Sequence, residues 1–204
     1  EKIIKDNTVI ICPNPKLEFI KILNEVSIPK NNYTNKINII IKNSNIHKST
    51  IIEPYVYIEK NVIIGKNCII KSGVKIFNGV KIGNNCIIGS NSSIVRGSAN
   101  ELTILEDGVN MAPGCCIGHG TFIGKQTHLA NNVSTGGSSY ISEYCFIGSS
   151  AVVSPGVVIG STDVTLGSGG VMAKSTEESG VYVGIPAKLL KKTEGKLRGM
   201  PQWR

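Results

Sequence analysis

Three histidines are spread along the 204-residue chain, at positions 47, 119 and 128, and His119 alone is flanked by glycine on both sides, in Ile117-Gly118-His119-Gly120. An imidazole titrates near neutrality, so a histidine held where a substrate can reach it can accept a proton from an attacking nucleophile. Sequence alone also allows an exposed polar residue at a turn, and the glycine pair Gly136-Gly137 allows a tight corner. A second group is basic. Lys188, Lys191, Lys192, Lys196, Arg198 and Arg204 crowd the last seventeen residues, after the turn Gly184-Ile185-Pro186-Ala187. Such a run is either a solvated tail or a local attractor for phosphate.

What positions these groups is a repeat. Isoleucine recurs every six residues at 46, 52, 58, 64, 70, 76, 82, 88 and 94 without a miss. Period six fits neither the helical 3.6 nor a strand's alternation, and it predicts a solenoid of stacked parallel strands with one large apolar side chain buried per repeat. The period resumes in a shifted phase at Leu105, Met111, Ile117, Ile123, Leu129, Thr135, Ile141, Ile147, Val153, Ile159, Thr165 and Val171. Four residues after most of these sits something small or β-branched, such as Val62, Cys68, Val74, Cys115, Thr121 or Ala151, giving two inward positions per six. Gly65, Gly83, Gly89, Gly118, Gly124, Gly148 and Gly160 directly follow the large residue, where a tight corner favours a residue without Cβ. If three hexads close a coil of eighteen residues, 46–99 holds three coils and 105–176 four. At roughly 4.8 Å per layer these make a prism on the order of 34 Å long. Residues 95–104 are then an excursion from its wall. Gly137, eighteen residues past His119, falls one layer above it, whereas His128, nine residues on, falls half a perimeter away.

Composition fits such a prism. Aromatic residues make up 5% of the chain, as expected where medium side chains fill a narrow core. No stretch is long and apolar enough to span a bilayer, and the N-terminus lacks a signal-peptide pattern, so the expected location is cytoplasmic. Cys68, Cys86, Cys115 and Cys145 fall at small inward positions, and no cysteine has metal-ligand or disulfide-framework spacing. The net charge is +8, from 22 basic and 14 acidic residues. Aromatic residues are not interleaved with the basic ones, which argues against a nucleic-acid surface.

The ends differ from the prism. Thr8-Val9-Ile10-Ile11-Cys12 reads as a strand, Pro15 to Glu25 as a helix and Ile37 to Ile41 as a second strand, a β-α-β unit within residues 1–45 joined by a polar loop at 30–35. Residues 46–176 form the prism and 177–204 a tail, with Ala187 to Lys196 expected as a short basic helix. The expected class is therefore all-β, a parallel β-helix of about seven coils with a small N-terminal β-α-β unit and a short C-terminal helical tail.

Hexapeptide prisms of this kind resemble the left-handed β-helix acyltransferases; the handedness is implied by that resemblance and not by the period. The runs Cys12-Pro13-Asn14-Pro15-Lys16-Leu17, Ile46-His47-Lys48-Ser49-Thr50 and Ile94-Val95-Arg96-Gly97 resemble the UDP-3-O-acylglucosamine N-acyltransferases of lipid A synthesis. Ile117-Gly118-His119, Thr127-His128-Leu129-Ala130 and Tyr182-Val183-Gly184-Ile185-Pro186-Ala187-Lys188 resemble the acetyltransferases of nucleotide-linked 4-amino sugars. Both families join an acyl thioester to a sugar amine and work as trimers with active sites between prisms. The resemblance implies His119 as the base for the attacking amine, Gly137 as the backbone donor to the oxyanion, and His128 near the thioester of coenzyme A across an interface. It implies acetyl-CoA or another acyl-CoA as cosubstrate, with Gly136, Gly184, Pro186, Ala187 and Lys188 along its groove, a nucleotide-linked amino sugar as acceptor, and no metal. In those relatives a carboxylate or amide often follows the histidine; here Gly120 follows, so another group must orient the imidazole. The alternatives are an acyl carrier protein as donor in a lipid A-like reaction, O-acetylation of a sugar hydroxyl, a non-catalytic structural trimer, and a carbonic anhydrase whose zinc three histidines would hold, which the spacing of His47, His119 and His128 fits poorly.

Overall fold

The computed structural model describes residues 39–40, 43–98 and 101–193. The strand and helix expected before residue 26, the loop at 30–35 and the basic residues past 193 lie outside the described residues.

From Ile39 to Met172 every strand is two residues long. From Asn45–Ile46 onward the first residue of each pair faces out and the second in, as in Lys75–Ile76 and Lys81–Ile82, where lysine is exposed and isoleucine buried. Three such pairs turn one coil, and each pair stacks in parallel register on the pair eighteen residues on, as Ile63 on Lys81 and Ile64 on Ile82. Three flat walls result. The first runs from Ile39–Ile40 through Tyr57–Ile58, Lys75–Ile76, Ser93–Ile94, Cys116–Ile117, Ser134–Thr135 and Val152–Val153 to Val171–Met172. The second runs from Asn45–Ile46 to Val158–Ile159 and includes Ile104–Leu105, Phe122–Ile123 and Tyr140–Ile141. The third begins at Ile51–Ile52 and includes Asn110–Met111, His128–Leu129 and Phe146–Ile147. Eight strands on the first wall make about eight turns, one more than the period suggests, because the ladder already begins at Ile39–Ile40, which pairs with Tyr57–Ile58.

The core is the single file of inward residues. Ile58, Ile64, Ile70, Ile76, Ile88, Ile94, Ile117, Ile123 and Ile141 are fully enclosed, with the small column of Val62, Cys68, Val74, Val80 and Cys86 between them. Each coil therefore buries its apolar side chains mostly against the coils before and after it.

The corners carry a second column that the isoleucine period hides. Asn61, Asn67, Gly73, Gly79, Asn85 and Asn91, six residues apart, all have positive φ between 54° and 75°. Asparagine and glycine tolerate that left-handed conformation best. The glycines after the large residue have a different cause from the one expected. Gly65 does not turn the corner; a Cβ there would come within 2.6 Å of the Gly83 backbone, so glycine is set by the close approach of successive coils.

Two expectations are corrected. The second phase does not run unbroken to Val171: the ladders above Phe146–Ile147 and Val152–Val153 are offset by nineteen residues, Phe146 on Thr165 and Val152 on Val171. The additional residue lies in the turn containing Asp163, which is buried with φ 56°. Leu166 and Met172 consequently face inward, and Thr165 and Val171 are partly exposed. The expected basic helix is a strand across its described part. Gly180–Val183 joins the third wall parallel to Thr165–Leu166 and then receives Lys188–Lys192 antiparallel. Gly184, at φ 95°, makes the reversal, and the open edge of Gly180–Val183 supplies the hydrogen bonds. Leu189 packs on the core while Leu190 is 69% exposed, an alternation of two that suits a strand.

The phase correction is testable by stability. Leu166→Ala should destabilise the prism by about 2–5 kcal/mol, as for a large core side chain, and Thr165→Ala by about 0.5 kcal/mol or less. Equal losses in denaturant titrations would show that the inward phase had been assigned wrongly.

Candidate active site

His119 stands at the corner between the first and second walls, two residues after the fully buried Ile117 and exposed to solvent. Its ring leans toward the next coil and lies over Gly137, so closely that a Cβ at Gly137 would overlap Nε2. The stacking is held by the backbone: Ser138 N–H donates to the His119 carbonyl at 2.7 Å and Gly118 N–H to the Thr135 carbonyl at 3.0 Å. Gly136 N–H is taken by the Val153 carbonyl at 2.7 Å, whereas Gly137 N–H has no acceptor among the described residues. The corner thus sets an open backbone donor beside an imidazole nitrogen, the pair that acyl transfer requires.

Below this corner the core changes character. Successive inward residues at the same corner are Val62, Val80, Thr103, Thr121, Ser139 and Val157, all buried. The hydroxyls appear in the coil of His119 and in those directly on either side of it. Thr121 and Ser139 both donate to the Gly136 carbonyl, at 3.1 and 2.9 Å, and Thr103 accepts from Gly120 N–H at 3.0 Å. Thr135 accepts from Gly118 N–H at 3.1 Å. Buried hydroxyls need such partners, and in finding them they fix the backbone on which His119 and Gly137 sit. Gly136 is part of this support: its carbonyl binds the hydroxyls and a Cβ on it would strike Pro155. This column is visible in the sequence as a switch from valine to threonine and serine, which the isoleucine repeat overshadowed.

A further group comes from the excursion. The chain leaves the wall after Ile94 and rejoins it at Ile104–Leu105, raising the ladder offset from eighteen residues to twenty-three between Ser93 and Cys116. It departs at the same corner as His119, one coil earlier. Glu101, on its return, lays its carboxylate against Gly120 and accepts a 2.5 Å hydrogen bond from the Ser138 hydroxyl. Nothing in the repeat pattern singles out Glu101, because its place depends on how the excursion folds back.

His128 lies on the third wall, opposite the His119 corner, so the prism keeps the two apart within one chain. Its ring stacks on Phe146, with centroids 5.3 Å apart and planes within 4°. Nδ1 is buried without a partner among the described residues. Burial holds the imidazole below the ordinary histidine range, since desolvation disfavours the charged form. Gly184, Pro186, Ala187 and Lys188 are likewise remote from the corner. Gly184 to Ala187 form the turn that caps the first wall, with Val171 N–H donating to the Gly184 carbonyl at 3.0 Å and Ala187 N–H to the Val171 carbonyl at 2.7 Å, and Lys188 opens the strand that follows. Lys188 is exposed, and Lys192 pairs with Glu178. Among the described residues no group of His, Cys, Asp and Glu could hold a metal ion, and no helix is long and apolar enough to cross a membrane.

The lowered affinity of His128 for protons has a signed consequence. Above about pH 6.5 it is neutral whether folded or unfolded; as the pH falls through that value the unfolded chain takes up a proton that the folded chain resists. Stability should therefore fall on going from pH 7.5 to pH 5, and His128→Gln should lose less over the same interval in urea titrations. Identical pH dependence in the two proteins would show that His128 is not held neutral by burial.

Comparison with known proteins agrees with the fold. Residues 43–78 match the bacterial transferase hexapeptide model (six repeats), and residues 141–172 the hexapeptide repeat of succinyl-transferase. The UDP-3-O-acylglucosamine N-acyltransferase of Janthinobacterium sp. (strain Marseille) is 39% identical over 94 residues, 46% of this chain and 26% of that protein. The chain thus spans about a quarter of the length of the curated relatives it matches. Two solved structures share the architecture at low identity. LpxA from Acinetobacter baumannii aligns with a TM-score of 0.61 at 21% identity, covering 74% of this chain and 71% of that one. UDP-N-acetylglucosamine acyltransferase from Campylobacter jejuni aligns with a TM-score of 0.64 at 20% identity over the same shares. With three parallel walls, an eighteen-residue coil and these matches, the chain has the left-handed β-helix fold, carries hexapeptide repeats at 43–78 and 141–172, and resembles acyltransferases built on that fold.

Proposed function

We propose that the chain is an N-acyltransferase that moves an acyl group, acetyl in the first instance, from coenzyme A to the amine of a nucleotide-linked amino sugar. The observation that carries the proposal is the His119 corner, where Nε2 lies against Gly137 and the Gly137 N–H has no acceptor among the described residues. In this reaction the amine nitrogen attacks the thioester carbonyl carbon. His119 takes the proton that the nitrogen sheds, Gly137 N–H donates to the oxyanion, and collapse expels the sulfur, which receives that proton from His119. The exchange of a thioester for an amide then balances without an added reductant or metal.

The basic end of the prism suits the donor. From the layer of Cys116–Ile117 the first wall rises through Ser134–Thr135, Val152–Val153 and Val171–Met172 to the Gly184 turn. Four layers at about 4.8 Å separate them by roughly 19 Å. An extended pantetheine arm can bridge that span, with the diphosphate and 3′-phosphate at Lys188, Lys191 and Lys192 and the thioester at the corner. Because His128 faces away from His119, its place beside the thioester requires a neighbouring prism. The third wall offers an outward apolar row, with Ile51 59% exposed, Ile87 37% and Phe146 42%, which supports a homotrimer as the working unit.

A second reading takes the acyl group from an acyl carrier protein. The observation in its favour is the 39% identity to a UDP-3-O-acylglucosamine N-acyltransferase. The acceptor chemistry is the same, an amine on a nucleotide-linked sugar, and the donor decides between the two.

Removing the imidazole tests the chemistry. His119→Ala should lower kcat by two to four orders of magnitude, about 3–5 kcal/mol of barrier, with little change in the acyl-CoA Michaelis constant. Retention of most of the wild-type turnover would mean that the amine loses its proton by another route.

Reversing a charge tests the donor. Lys188→Glu should raise the Michaelis constant for acyl-CoA, more strongly at low salt, and leave that of the sugar nearly unchanged. An unaffected acyl-CoA constant, together with faster turnover from an acyl carrier protein, would replace coenzyme A by the carrier protein.

A further inference from the structure

Among the described residues the excursion after Ile94 is the one place where the first corner of the prism is extended, and it returns a carboxylate to the candidate active site. Glu101 lies against Gly120, the residue after His119, and accepts from the hydroxyl of Ser138, the residue after Gly137. Gly120 has φ 64° and a Cβ there would overlap the Glu101 carboxylate, so the absence of a side chain after His119 is what lets the carboxylate in. The described residues on its two sides are held together: Gly97 sits on the Glu101 carbonyl where a Cβ would collide, and Thr103 accepts from Gly120 N–H at 3.0 Å. His119 Nε2 and the Glu101 carboxylate therefore border consecutive residues, Gly137 and Ser138, of one corner.

We infer that Glu101 is a specificity residue that selects an amine over a hydroxyl acceptor by taking one of its N–H groups. An amine nitrogen poised to attack has two N–H bonds. One points to His119, which will remove that proton, and the other can donate to Glu101. A protonated amine gains more from the carboxylate on arrival, before it gives its first proton to water and becomes nucleophilic. A hydroxyl has a single O–H, which must go to His119, and its oxygen lone pairs then face the Glu101 carboxylate with nothing to donate. The carboxylate thus favours one acceptor class and disfavours the other. The inference rests on the N-acyltransferase reading and adds to it the residue that sets the acceptor.

The test uses the full chain with UDP-linked 2-amino and 4-amino sugars and the matching hydroxyl sugars, each hydroxyl compound measured as substrate and as competitive inhibitor. Glu101→Gln keeps an acceptor for the Ser138 hydroxyl and removes the charge. It should raise the Michaelis constant for the accepted amino sugar at least tenfold, leave that of acyl-CoA within twofold, and leave the inhibition constant of the hydroxyl sugar unchanged or lower. Glu101→Asp should recover part of the loss, and the thermal midpoint of each variant should stay at the wild-type value, showing that the corner is intact. Wild-type turnover on an amino sugar with an unchanged acceptor constant in Glu101→Gln would overturn the role of Glu101 alone. Failure of the wild type to acylate any amino sugar from either donor would overturn the N-acyltransferase reading, and the selection of amines by Glu101 with it.

Discussion

The described prism depends on one interaction, the parallel backbone ladder that stacks a coil on the next with residues mostly eighteen apart in register. A spacing of about 4.8 Å leaves room between layers for one side chain in each inward column, which is why isoleucine and small residues alternate there. The same spacing explains the glycines that follow the large residues, since a Cβ at Gly65 would strike the backbone of Gly83. It also converts sequence distance into spatial contact. His119 and Gly137 meet because they are eighteen residues apart, and His119 and His128 are separated for the same reason.

A prism stacked this tightly has little freedom to build a site from its walls, and the candidate site sits at a corner. There the residues that need not pack inward can hold an imidazole and an open N–H, and the inward column can exchange valine for hydroxyls. Thr103, Thr121, Thr135 and Ser139 forgo some apolar burial in the middle of the solenoid. Each then holds a backbone group of the corner, directly or through Gly136. An apolar residue at those positions would stabilise the core more simply and leave the carbonyl of Gly136 without its two donors. The polar column therefore marks the coils in which backbone position matters more than burial.

The walls were legible because burial of one large residue in six is a strong periodic signal, and the pairing of His119 with Gly137 followed from it by arithmetic. The corner column of asparagine and glycine at positive φ was just as regular, from Asn61 to Asn91, but it went unread beside the isoleucines. The period places Thr165 inward, but a single extra residue near Asp163 leaves that period apparently intact and turns Thr165 and Val171 to the outer face. The charge run from Ala187 to Lys196 reads as a helix, but basic character says nothing about dihedrals, and Lys188–Lys192 is a strand. The strand arises from the free edge of Gly180–Val183, a tertiary partner that local sequence does not display. Glu101 was beyond reach for a related reason: an excursion has no period, so its contacts come from the return path alone.

Departures from the repeat are thus where this fold acquires individuality. A residue on a wall is constrained by the coils on both sides, and changing its phase disturbs everything above it. An insertion at a corner disturbs nothing, provided the chain rejoins the ladder in register, as it does between Ser93 and Cys116. Such an insertion can carry a side chain laterally to a site built by later coils. Glu101 precedes His119 by eighteen residues, the length of one coil, yet it reaches Ser138, thirty-seven residues away. A carboxylate placed by the ladder one coil before His119 would have been held in the corner position of its own layer. Carried on the excursion, it crosses the layer of His119 and ends beside the His119–Gly137 pair.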